Sequence, residues 1–289
     1  MATRKKKTAV ELSPQPNPQA ALDGQGLLRG AAPVLDRLGK DLLARADGNA
    51  GVTAALRARH AMEVEKKRTA MQYDEWRRAF VDQVAAAWFL SVVFVRTLED
   101  RGLLRRSRIA GPGALDAQRA FFALAPHLTE RDYLLTVFRE LTHLPAAAEL
   151  FDARHNPVWL LAPSAEATQE LLELFRTPNA DTPAFRFGGD SRFLGDLYQD
   201  LNADVRARYA LLQTPRFVES FILDRTLTPA LERFGLEDTT IIDPTCGTGH
   251  FLLGAFDRLF ERRLAEQPGI DPRQAAHAAL DPISGARRS

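Results

Sequence analysis

The residues richest in chemistry run from Ile241 to Leu253 and read IIDPTCGTGHFLL. A short β-branched run, Thr239 to Ile242, ends on an acid, Asp243. The chain then turns through Pro244, Thr245, Cys246, Gly247, Thr248 and Gly249 into a helix beginning near His250. Glycines at 247 and 249 allow torsions and a close approach that a Cβ would block, so a ligand can lie against the main chain at the carboxyl end of the strand. A carboxylate at that strand end suits a cationic amino acid head group, and the free N–H groups of the following helix suit a carboxylate. Two phosphate-cradling patterns do not fit. The Walker loop needs Lys where His250 stands, and the dinucleotide fingerprint needs a third Gly where Leu252 stands. Cys246 is the chain's single cysteine. It rules out a disulfide framework and Cys-based zinc sites, fits a reducing cytoplasm, and reads as a small thiol packed under a turn.

The segment resembles the first signature motif of S-adenosylmethionine-dependent amino-group DNA methyltransferases, the DPxCGTGxFL pattern of type I modification subunits and their relatives. Upstream, Gln213, Thr214, Pro215, Arg216, Phe217 and Val218 resemble the QxxTPxxV element that precedes the glycine loop in those enzymes, with Gln213 abutting Thr214 in a compressed version. The same residues also read as a plain helix start, with Thr214 as N-cap and Pro215 at the first helical position; the two readings are compatible. The resemblance implies that Thr214 and Pro215 close over the methionine end of the cofactor and that Asp243 and Pro244 lie along it. It further implies that Cys246, Gly247, Thr248 and Gly249 line the turn, and that Phe251 packs near the loop. Leu194–Leu201, LGDLYQDL, is similar to the helical region ahead of the catalytic domain in type I modification subunits. The helical first 210 or so residues resemble the amino-terminal part of the large PglX methyltransferases of BREX phage-defence systems.

Two elements of such enzymes are not found. Methylating an exocyclic amino group needs a pocket for a flipped base, which the family builds with an Asn/Asp-Pro-Pro-aromatic tetrapeptide. The nearest match is Asn156, Pro157, Val158 and Trp159. It lies upstream, as in circularly permuted members, but Val158 removes the rigid turn, and the alternative is an ordinary Asn-Pro turn. No catalytic residue is assigned. The family's second strand ends in an acid that holds the ribose, written IxGxD; Ile283 and Gly285 fit that frame, but Arg287 fills the acid's slot. The expectation is an incomplete catalytic domain over 213–289, from a truncated or frameshifted gene.

The elements that must position these residues are mostly helical. Residues 1–24 join Arg4, Lys5, Lys6 and Lys7 to a Pro-, Gln- and Asn-rich stretch that cannot bury enough apolar surface to order itself, so a disordered basic tail is expected. Its cations either touch DNA phosphates or are simply solvated. Residues 25–212 carry the helical pattern, with predicted helices Tyr73–Leu103, Asp116–Ala125, Glu130–Leu141, Ala165–Phe175 and Phe193–Leu211. Trp76, Phe80, Val84, Trp88 and Val95 recur at spacings of four and seven; such a stripe is a core face far more often than a base-stacking surface. The densest apolar run, Ala85–Val95, falls short of the roughly 20 residues a bilayer requires, and no secretory signal opens the chain, so no membrane is expected. After Pro215 a predicted amphipathic helix, Phe217–Phe234, ends at Gly235 and the strand and glycine loop follow. The fold class expected is a mainly α amino-terminal domain followed by the start (helix, strand, Gly loop, helix) of an α/β Rossmann-like methyltransferase domain.

With 38 Lys and Arg against 37 Asp and Glu, net charge is +1, so any nucleic-acid surface must come from local clustering. The resemblance implies S-adenosyl-L-methionine as cofactor, duplex DNA and other defence-system subunits as partners, and N-6 adenine as the methylated group. A non-catalytic helical module that binds DNA or a partner, or one half of a split methyltransferase, is the second reading. Cytosine N4, RNA or a protein amide as acceptor shares the same loop chemistry.

Overall fold

The structure, a computed structural model, describes residues 24–144, 147–176, 183–187, 197, 214, 216–247 and 249–285. The predicted tail (but for Gly24) and the predicted helix Phe193–Leu211 (but for Leu197) lie outside the described residues, as do Gln213, Pro215, Thr248 and Arg287. The chain divides into two compact units, Met1–Asn202 and Ala203–Ser289. The described residues are mostly helical.

The first unit holds α1 (Gly24–Gly48), α2 (Ala50–Glu65), α3 (Tyr73–Asp100), α4 (Ala114–Leu124), α5 (Glu130–Leu141) and α6 (Ala165–Leu174), with a 3-10 turn at Pro157–Trp159. Leu27, Ala31, Val34, Leu38, Leu42 and Ala46 recur every three or four residues, so α1 buries one stripe, and it packs on α3 and α6. Trp76, Phe80, Val84, Trp88 and Val95 of α3 are all buried, which assigns the aromatic stripe to the core. By length and composition α3 passes for a membrane span, longer than the run Ala85–Val95 on which the sequence argument rested. Its apolar side chains are instead buried within this unit, against α1, α2 and the 3-10 turn, and the indole of Trp88 donates to the carbonyl of Leu161 at 3.0 Å.

A buried ionic cluster closes the end of α3. Arg96 and Glu99 side chains are each 1% exposed and pair at 2.5 Å, and Arg96 also reaches Asp100 at 2.5 Å. Buried charges persist only when paired and hydrogen-bonded, and these are. Glu99 accepts from the backbone N–H groups of Arg108 and Ile109, the latter at 2.7 Å. Arg96 donates to the carbonyl of Ala110 at 2.7 Å, and Asp100 accepts from the N–H of Phe187 at 2.7 Å.

The second unit runs α7 (Arg216–Arg225), α8 (Leu227–Phe234), β1 (Ile241–Asp243), α9 (His250–Glu266), α10 (Pro272–Leu280) and β2 (Ile283–Gly285). The helix predicted as unbroken over 217–234 is two helices. Pro229 has no N–H, and its ring would clash with the carbonyl of Arg225 four residues earlier, so α7 stops there. The strand begins two residues later than predicted, because the Thr239 hydroxyl turns back to the carbonyl of Gly235 at 2.7 Å. After the predicted helix–strand–loop–helix come α10 and β2, a strand at Ile283–Gly285 where the second-strand frame falls. β2 pairs parallel with β1 in the register Ile241↔Ile283, Ile242↔Ser284, Asp243↔Gly285. Two parallel neighbours need a long crossover, here α9 and α10. Leu223, Leu227, Leu231, Leu236, Ala255, Leu259 and Ala279 form this unit's own core.

Candidate cofactor-binding site

β1 delivers Asp243 to the start of the glycine loop. Its Oδ1 accepts from the N–H of Thr245 at 3.0 Å, an Asx turn that bends the chain off the strand. The half-buried Asp243 has no second partner among the described residues. Pro244 and Thr245 form the exposed turn, and half-buried Cys246 accepts at its carbonyl from the N–H of Gly249 at 2.7 Å. Gly247 and Gly249 have φ of +54° and +83°, left-handed torsions that side chains rarely adopt. A Cβ on Gly249 would meet nothing within 4 Å, and one on Gly247 only the Thr245 carbonyl at 3.9 Å. The glycines are therefore required by torsion, while no described residue fills the space above them. Gly249 caps α9, accepting from the N–H of Leu253 at 2.8 Å. Phe251 is half-buried and packs against this unit's core from the first turn of α9.

α7, which follows the upstream element, packs against α9. Glu219 and Leu223 of α7 face Gly254 of α9. One turn on, Arg258 donates to Asp224 at 2.5 Å and Thr228 at 3.0 Å, and to the carbonyl and hydroxyl of Ser220, each at 3.2 Å. Contacts that advance together along both helices mean the helices start at the same end. Thr214 is half-buried and lies two residues ahead of α7. Of the residues singled out in the sequence, Thr214, Asp243, Pro244, Cys246, Gly247, Gly249 and Phe251 share this unit; Pro215 and Thr248 lie outside the described residues. Sequence reasoning missed Glu219, Gly254 and Arg258, which hold α7 to α9. The available signal was an acid at an inward position of an amphipathic helix.

Asn156 is occupied as a turn residue. Its Oδ1 accepts from the N–H of Val158 at 3.2 Å, and its Nδ2 donates to the carbonyl of Leu150 at 3.0 Å and the hydroxyl of Ser91 at 3.3 Å. The indole of Trp159 is likewise spent on the carbonyl of Phe151 at 2.8 Å. An amide with every strong donor and acceptor engaged is not free to read a base.

No family model matches the chain, and no solved structure matches it. The adenine-specific methyltransferase PglX of Streptomyces coelicolor is 41% identical to it over 251 residues, a match that takes in 81% of this chain and 21% of that protein. Identity at that level over so long a stretch is homology to that methyltransferase. The match supports the PglX-like family for this chain, which spans about a fifth of the length of this curated relative.

Proposed function

We propose that this chain carries the cofactor-binding loop of an S-adenosyl-L-methionine-dependent, adenine-specific (N-6) DNA methyltransferase of a restriction-modification or phage-defence system, acting on duplex DNA in the cytoplasm, within the start of an α/β Rossmann-like domain. The observation that carries it is the loop itself: two left-handed glycines with no described residue filling the space above them, between a strand-end carboxylate and a helix N-terminus. S-adenosyl-L-methionine carries an ammonium, a carboxylate and a reactive sulfonium methyl group, and the residues present fit its amino acid end. Asp243 would hold the ammonium. The N–H groups opening α9 would receive the carboxylate, and Cys246, Gly247, Thr248 and Gly249 would border the cofactor. Thr214 and Pro215, which precede α7 in the sequence, would close over it, with Phe251 bracing the first turn of α9. When bound, the cofactor supplies an electrophilic methyl group.

Saturation-transfer NMR of the 289-residue chain tests this. A saturable signal is expected for S-adenosyl-L-methionine and for methionine, lost in Asp243→Ala. No saturable signal, or one unchanged by that substitution, would sink the reading.

A further inference from the structure

The turn that follows α3 reads RGLLRRSR over Arg101–Arg108, four cations and no acid in a chain whose net charge is +1. Arg105 and Arg106 are exposed and have no ion pair among the described residues. Arg108, half-buried, pairs with Glu140 at 2.7 Å. Surface arginines are commonly mobile, but this turn is held from beneath at three consecutive residues. Glu99 binds the N–H groups of Arg108 and Ile109, the Tyr133 hydroxyl donates to the Arg108 carbonyl at 2.8 Å, and Arg176 donates to the Ile109 carbonyl at 2.6 Å. Arg96 adds the Ala110 carbonyl. The fully buried pair Arg96–Glu99 thus serves to fix the turn that displays the arginines. Beside them lies a groove of about 610 Å³ floored by Leu103, Leu104, Val137, Leu141 and Leu144.

From this arrangement we infer that the 103–108 turn is a docking surface for the phosphate backbone of duplex DNA. Guanidinium groups match phosphate geometry, and anchoring the main chain at residues 108–110 limits the freedom of the turn that carries them, which reduces the entropy lost on binding. The choice of DNA as the polyanion rests on the function proposed above; the site rests on the turn alone. A groove of about 610 Å³ is too small to hold a duplex, so the arginines would meet phosphates at its rim, fixing register without reading sequence.

The test is fluorescence anisotropy of a labelled duplex with the whole chain across a salt series. Arg105→Gln/Arg106→Gln should weaken binding roughly tenfold or more at low salt. It should also lower the slope of log affinity against log salt by about 1.8, two phosphate contacts at roughly 0.9 each. Lys40→Glu/Arg119→Glu, reversing two charges elsewhere on the same unit, should leave that slope within error, and circular dichroism should show every variant folded. Unchanged affinity and slope in the Arg105/Arg106 variant overturns the inference, as does an equal loss in the control pair. Binding of an acidic, leucine-bearing peptide in place of DNA, dependent on the same arginines, would also overturn it in favour of a protein partner. Cofactor binding is read separately by NMR, so either result stands without the other.

Discussion

The α-carbon of Gly254 lies so close to the carboxylate of Glu219 that a methyl group there would sit 2.0 Å from Oε1 and 2.9 Å from Leu223 Cδ1. Glu219 is only 2% exposed, so two packed side chains would have to move together. Gly→Ala inside a helix ordinarily stabilises by up to about 1 kcal/mol. At Gly254 the sign should reverse, with overpacking costing about 1–3 kcal/mol. Denaturant melts of Gly254→Ala check it, and Gly254→Ala/Glu219→Ala should recover most of the loss. A Gly254→Ala variant more stable than wild type would refute the packing.

Removing one member of the buried cluster should cost more than most core substitutions. Arg96→Ala leaves Glu99 and Asp100 in place without their guanidinium, and breaking a buried pair costs about 3–5 kcal/mol. Glu99→Gln should be milder globally, yet it should speed hydrogen exchange at the amides of Ile109 and Ala110, which it serves. Unchanged exchange at both amides would show that the turn is held by other means.

Burial pushes the Tyr133 hydroxyl up to about 12, opposed by the nearby Arg108 and Arg176 guanidinium groups. A group whose folded value is raised contributes stability that is complete below its unfolded value near 10 and is lost as pH rises through the folded one. The window is therefore alkaline. Ultraviolet titration should show a tyrosine step near 12, and Tyr133→Phe should remove that step. A late step persisting in Tyr133→Phe would contradict the assignment.

The 289 residues contain no Asn/Asp-Pro-Pro-aromatic tetrapeptide, so labelled methyl transfer to duplex DNA by this chain alone should stay at background. Asn156→Ala should act on stability, at about 1 kcal/mol for a lost cap, because its amide holds the turn before Pro157. Methyl transfer that depends on Asn156 would revive the permuted arrangement.

Much of this was legible in the sequence wherever one local rule dominated. The predicted helix Glu130–Leu141 has those bounds in the structure, since Thr129 and Asp132 form a capping box at its start. Gly247 and Gly249 take the left-handed torsions their spacing suggests. The break after Arg225 was missed because the apolar pattern runs on through it, and only Pro229 forbids the helix. β2 was legible only through the resemblance, whose second-strand frame Ile283 and Gly285 fit. Three residues carry no period, and Ile283–Gly285 becomes a strand only because α9 and α10 return it to β1. The Glu219–Gly254 approach depends on which helix lies beside which, a relation no local pattern states.

The parallel pairing of β1 with β2 also bears on how the glycine loop is born. Ile241 and Ile283 are neighbours in space but are separated by both helices in the chain, so their pairing closes a long loop before any hydrogen bond compensates the lost entropy. During synthesis the loop and α9 leave the ribosome while the partner strand is still unmade. The α7–α9 contact, which needs no residue beyond Arg258, should form first, and β1 should be zipped last. Pulse-labelled hydrogen exchange during refolding should accordingly find the amide of Ile241, which donates to the Pro282 carbonyl, protected later than those of α9. The cofactor loop would then be among the last parts of the unit to acquire its shape.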